Sequence, residues 1–124
     1  KAFAAAAKHQ LLKYERVTQT LGQTRGCLAE GRPFALGFTV YESFESPAVA
    51  ASGVAALPGP GERVLGGHAV LCVGYDDAGA RFLLRNSWGP GWGQQGYFTL
   101  PYAYLLDANL AADFWTMEIV EAVL

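Results

Sequence analysis

The chain has 124 residues, 52% hydrophobic and 16% charged, with nine basic and eleven acidic side chains and a formal net charge of −2. That length suits a single domain over 1–124, or one large piece of one, and so low a charged fraction argues against disorder. No basic stripe points to nucleic acid and no apolar run nears the roughly 18 residues that cross a bilayer, so neither nucleic acid nor membrane is an expected partner.

The Ala-rich stretch 2–12, AFAAAAKHQLL, predicts a helix, with His9 solvated on it, and KYERV (13–17) predicts a short strand. Thr18 or Thr20 caps a second helix over 21–30. Leu21, Cys27 and Leu28 share one face of it, and Gly31 and Pro33 stop it. FALGFTVY (34–41) reads as a central strand because both of its alternating faces are largely apolar. Residues 42–66, with Pro47, Pro58 and Pro60, form a long connection containing a short strand at 53–57. HAVLCVGY (68–75) and RFLLRN (81–86) read as strands around the turn DDAGA, in which Asp76 and Asp77 are turn residues. A Gly- and Trp-rich loop (87–96) leads to a strand at 97–100, a helical turn at 101–106 and a closing strand at 114–120. Many short strands and few helices predict an α+β protein built on an antiparallel, barrel-like sheet.

His68 and Asn86 each lie nine residues from Asp77. A hairpin centred there sets them directly opposite each other on one sheet face, about 4.5–5.5 Å apart at Cβ; a bulge would shift the register by one and spoil the pairing. An Asn carbonyl that accepts one imidazole N–H fixes the tautomer and aims the other ring nitrogen outward, the pattern of an oriented base beside a nucleophile. Trp88 is placed to cover the contact and exclude water. The two cysteines do not complete the arrangement. Cys72 lies four strand residues from His68, about 13 Å along the strand, and Cys27 reads as a small core residue. Trp92, Tyr41, Phe44 and Phe114 read as packing residues, and no metal site or cofactor is expected.

These residues belong to a longer pattern. GGHAVLCVGY (66–75) and RNSWGPGWGQQGYF (85–98) together resemble the papain-like cysteine peptidases, in which a His opens a barrel strand and an Asn stands in an NSWG motif followed by GWG and GY. The likeness is strong over about 64–100 and weaker over 20–63. The ending LPYAYLLDANLAADFW is similar to that of bacterial members.

The resemblance implies an incomplete cysteine-proteinase fold: the barrel half, preceded by helical segments, with 1–19 leading in from the junction between halves. It implies a Cys–His–Asn site in which His68 is the base, Asn86 its orienter and Trp88 the shield. Gly66 and Gly67 would border a substrate pocket, where many relatives carry Asp or Asn just before the His. No CGSCW-like motif occurs here, and Gln94 and Gln95 are misplaced for the family's oxyanion Gln. The nucleophile is therefore expected on a helical half outside this chain, and the chain alone is expected to be inactive. Its expected partners are that half, a peptide or protein substrate, and a second copy through the exposed cleft face. The rival expectation is a pseudo-peptidase, or a half-domain that binds peptide or protein without cutting it.

Overall fold

Alternating apolar residues build most of this molecule. In β2 (Phe34–Tyr41) every second side chain, Phe34, Leu36, Phe38 and Val40, is buried, and the intervening ones are not. Residues 8–123 are described by a computed structural model. Its other strands are β1 (Lys8–Arg16), β3 (Val64–Asp76), β4 (Arg81–Arg85), β5 (Tyr97–Pro101) and β6 (Ala111–Val123). They form one antiparallel sheet in the order β1-β6-β2-β3-β4-β5. Val70 and Cys72 of β3, Phe82 and Leu84 of β4, Phe98 and Leu100 of β5, and Phe114 of β6 join β2 in the core. Phe34 and Phe114 stack there at 5.3 Å. β2 is central, as its two apolar faces predict.

The predicted N-terminal helix is overturned over residues 8–12; residues 2–7 lie outside the described residues. Lys8 to Arg16 pair with β6 in an unbroken ladder, from Lys8 opposite Val123 to Arg16 opposite Trp115. Helix propensity is a weak prior of tenths of a kcal/mol per residue, and a long β6 partner outweighs it. His9 therefore lies on a strand rather than a helix.

α1 (Leu21–Ala29) forms as predicted. Thr20 accepts the Gln23 N–H, and Gly31 takes the left-handed conformation beyond its end. The 42–66 connection is more ordered than its prolines suggest. It holds a 3₁₀ turn (Glu42–Glu45) and α2 (Pro47–Ser52), which Ser46 caps by accepting the Val49 N–H. The strand predicted at 53–57 reduces to one parallel bridge, Val54 with Thr99. α3 (Tyr102–Leu105) is the predicted helical turn.

The β3–β4 hairpin tip is tied down from two sides. The Arg25 guanidinium meets both Asp77 carboxylate oxygens at 3.0 and 3.1 Å, and the Tyr102 hydroxyl donates to Oδ1 at 2.6 Å. The Tyr102 hydroxyl and then Arg25 hold the Asp77 carboxyl below its ordinary value. Its stabilising contribution is therefore complete above the unfolded-state value of about 3.9 and disappears as pH falls through the lower folded-state value. Asp77→Asn should lower the thermal midpoint near neutral pH, and the gap to the parent should close in acid.

The glycines of the 87–96 loop differ sharply in their surroundings. A Cβ on Gly93, at φ +62°, would lie 2.6 Å from the Tyr97 carbonyl oxygen, whereas one on Gly91 meets nothing within 4 Å. Gly93→Ala should cost about 1–3 kcal/mol in chemical denaturation, and Gly91→Ala almost nothing.

Candidate active site

The sequence places His68 and Asn86 on one face, and the structure does so by a different route. The β3–β4 ladder pairs Asp76 with Arg81 and Gly74 with Leu83, then shifts by one at Val73, so that Cys72 meets Leu84 and Leu71 meets Arg85. One step further the shifted register sets Asn86 across from Val70, two residues from His68 on the same face. Without the bulge Asn86 would oppose Leu71 and point to the other face. The expectation of direct opposition about Asp77 is thus corrected: the pair is diagonal. The bulge that was expected to spoil the pairing is what restores it.

The contact itself is short. His68 Nε2 lies 2.8 Å from Asn86 Oδ1, which also accepts the Ser87 backbone N–H at 2.7 Å. A backbone amide can only donate, so the atom facing it is the carbonyl oxygen. His68 Nε2 must then carry the proton, which leaves the lone pair of a neutral imidazole on Nδ1. Asn86 is 7% exposed, and its Nδ2 has no hydrogen-bond partner among the described residues.

Two rings hold the imidazole, and a third backs them. Trp88 stacks on it at 5.1 Å and 21°, and Phe38, its cross-strand partner, meets it edge-on at 5.8 Å. Phe44, from the 3₁₀ turn, touches Phe38, Trp88, Trp92 and Phe98 at 5.1–5.8 Å. Trp88 remains 42% exposed while stacked on the ring.

The Trp-rich loop is braced from both ends. The Asn86 N–H donates to the Gly96 carbonyl at 2.9 Å, and Gly96 itself needs a φ of +91°. The Gly93 N–H donates to the Ala50 carbonyl at 2.7 Å, which fastens the loop to α2. Phe44 and Ala50 thus support the site from a segment that reads as a loop. Phe44 carries no sequence signal beyond its aromatic character, because its partners come from three other elements.

The remaining expectations fall as follows. Gly67 lines a cavity of about 240 Å³ beside His68, with Gly37 and residues 108–113 around it; Gly66 does not line it. A Cβ on either glycine would meet nothing within 4 Å. Cys72 is fully buried, and burial pushes its thiol up to about 12. Cys27 is buried, with its thiol 3.2 Å from the Arg32 carbonyl. Neither touches His68. Among the described residues, no three His, Cys, Asp or Glu side chains gather as a metal site, and no helix is long and apolar enough to cross a membrane.

The tautomer is directly measurable. The ¹⁵N shifts of His68 should show Nε2–H as the neutral form with a slowly exchanging proton, and Asn86→Ala should speed that exchange and remove the preference.

The sequence profile described as papain family cysteine protease matches residues 2–111. An uncharacterized peptidase C1-like protein of Acanthamoeba polyphaga mimivirus is 39% identical over 96% of the chain, and a cathepsin B-like protein of Giardia intestinalis is 46% identical over 59% of it. The crystal structure of xylellain, a cysteine protease from Xylella fastidiosa, superposes with a TM-score of 0.82 at 44% identity over 87% of the chain. The chain spans 41% of the mimivirus protein, 24% of the Giardia protein and 40% of the Xylella chain.

Proposed function

The chain belongs to the papain family of cysteine proteases, and from that premise we propose that it is the His- and Asn-bearing barrel half of a bacterial-type peptidase that hydrolyses peptide bonds through a Cys–His–Asn site. The observation that carries this reading is the 2.8 Å contact from His68 Nε2 to Asn86 Oδ1. It leaves Nδ1 as the ring atom that can serve a nucleophile. The barrel assignment is supported by the core face, where Phe34, Phe82, Phe98 and Phe114 from four strands are all buried together.

In the complete enzyme the thiol proton passes to His68 Nδ1, forming a thiolate–imidazolium pair. The sulfur attacks the scissile carbonyl carbon. The C–N bond then breaks as the leaving nitrogen takes the proton from Nδ1, and an acyl-enzyme remains. Water attacks that thioester, its proton going to His68 Nδ1; the carbon–sulfur bond breaks, the sulfur takes that proton, and the acid product departs with the thiol restored. Asn86 holds the ring through both steps. A neutral orienter suits this chemistry because the ion pair supplies its own charge separation. Trp88 keeps water from the His–Asn bond, and Gly67 borders the substrate cavity with Gly66 beside it. The sulfur comes from outside this chain, since burial holds Cys72 as a neutral thiol and Cys27 is turned to the Arg32 carbonyl.

The test is a chimera in which this chain replaces the matched part of the Xylella enzyme. It should hydrolyse a fluorogenic peptide. His68→Ala should abolish turnover, and Asn86→Ala should lower kcat by about 10²-fold, the order of a mispositioned catalytic group. The isolated chain should show no turnover. A folded chimera that binds peptide without cutting it would favour the pseudo-peptidase reading; activity in the isolated chain would overturn the split site.

A further inference from the structure

Phe38, His68, Trp88 and Phe44 close a cycle of four rings, each touching the next at centroid distances of 5.1–5.8 Å. Three members are placed by elements that carry the site: Phe38 by β2, His68 by β3, and Trp88 by the loop that follows Asn86. Phe44 is the fourth. Among the described residues it is the one ring besides the imidazole that touches both Phe38 and Trp88. It is 3% exposed, yet it comes from the 3₁₀ turn, which lies outside the sheet. Whatever fixes that turn fixes the far side of the cycle.

The turn starts without a cap of its own, since the Tyr41 side chain at its boundary makes no capping bond. Its first amides are taken instead by the chain leading into β3. The β2–β3 ladder ends at Tyr41 opposite Val64, after a one-residue shift. Beyond it the Glu42 N–H donates to the Arg63 carbonyl at 3.2 Å, and the Arg63 N–H donates to the Glu42 carboxylate at 2.8 Å. Glu62 completes this clasp. One of its oxygens accepts the Ser43 N–H at 2.9 Å, and the other accepts the Gly59 N–H at 2.5 Å. Ser43 is the residue before Phe44. Hydrogen bonds to an ionised acceptor are roughly twice as strong as neutral ones, and here two of them join the turn, residue 59 and residue 62. The Gly59 amide and then that of Ser43 hold the Glu62 carboxyl below its ordinary value.

We propose that Glu62 is a positioning residue for the His68 imidazole: its carboxylate sets the turn that carries Phe44, and Phe44 holds Phe38 and Trp88 against the ring. The proposal rests on the preceding reading, in which His68 is the base. Glu62 acts through Phe44 and has no contact with the imidazole. Glutamine is the informative replacement. It keeps the shape but has a single acceptor oxygen, and its amide nitrogen can only donate, so one of the two backbone N–H groups loses its partner.

Nuclear magnetic resonance of the chain reads the effect at His68. Glu62→Gln should speed exchange of the His68 Nε2–H several-fold and move the ring-current shifts of its carbon-bound protons, which report the stacking of Trp88. Asp77→Asn, compared at the same interval below its own thermal midpoint, should leave both as in the parent, because a general loss of stability does not re-aim the rings. In the chimera Glu62→Gln should lower kcat several-fold at unchanged KM. His68 signals that stay at their parent values in Glu62→Gln, or that move equally in both variants, overturn the proposal. A chimera that is inactive with Glu62 intact, while the His68 signals of the chain respond as expected, defeats the catalytic reading and leaves the positioning role standing. If Glu62→Gln does not fold, acid titration of the parent chain decides. The clasp is complete above the unfolded-state value of about 4.3 and opens as pH falls through the lower folded-state value. The other ionisable groups around Glu62 are Glu42 and Arg63 in the clasp, Glu45 on the turn, Tyr41 at the end of β2 and Tyr104 of α3. The step is therefore read on the Glu62 carboxyl carbon itself. The His68 ring protons should shift together with that carbon, and ring protons that do not follow it refute the assignment.

Discussion

One oxygen organises the candidate site. Asn86 Oδ1 accepts from both the Ser87 amide and the His68 imidazole, so its identity as an acceptor is settled by a backbone group that cannot accept. The ring tautomer follows from that and needs no charged neighbour. The arrangement depends in turn on the extra residue at Val73. The hairpin turn by itself sends His68 and Asn86 to opposite faces, and the bulge returns them to one. Bulges near functional residues commonly re-aim a side chain in this way.

Around that contact the protein spends aromatic surface rather than charge. Phe38 from β2, Phe44 from the 3₁₀ turn, and Trp88 and Trp92 from the loop after β4 form a connected set of rings. The imidazole sits at its edge. Edge-to-face pairs of this kind each add about 0.5–1.5 kcal/mol beyond their buried area and have narrow geometric preferences. Restricting the rings to a few mutual orientations also restricts the imidazole. The glycines of the loop serve the same end. Gly96 turns so that its carbonyl meets the Asn86 N–H, and Gly93 lets the Tyr97 carbonyl approach closer than any side chain would allow.

The two faces of the sheet do different work. One carries Phe34, Leu84, Phe98 and their neighbours into the core, and the His–Asn pair grows from its margin. The other carries Trp115, Ala35 and Leu71, flanked by Arg16 on β1 and Arg85 on β4. The strict two-residue alternation of β2 keeps these roles apart, so Ala35 floors a groove while Phe34 and Leu36 on either side of it are buried.

Much of this was legible in the order of residues. Alternation in 34–41 and the Gly and Pro stops after the first helix depend on neighbours in sequence, and local physics decides them. The family likeness lay in the same local runs. Only the tertiary structure decided the rest. Residues 8–12 joined a strand because a β6 partner a hundred residues away outweighed tenths of a kcal/mol of helix preference. The single-residue bulge that aims Asn86 leaves no mark in composition. Phe44 matters through rings brought from three other elements, and the Arg16–Trp115–Ala35–Leu71–Arg85 row exists only once five strands are in register. A sequence carries the period of a strand, whereas which strand lies beside it, and by what offset, is fixed by the packing of the whole.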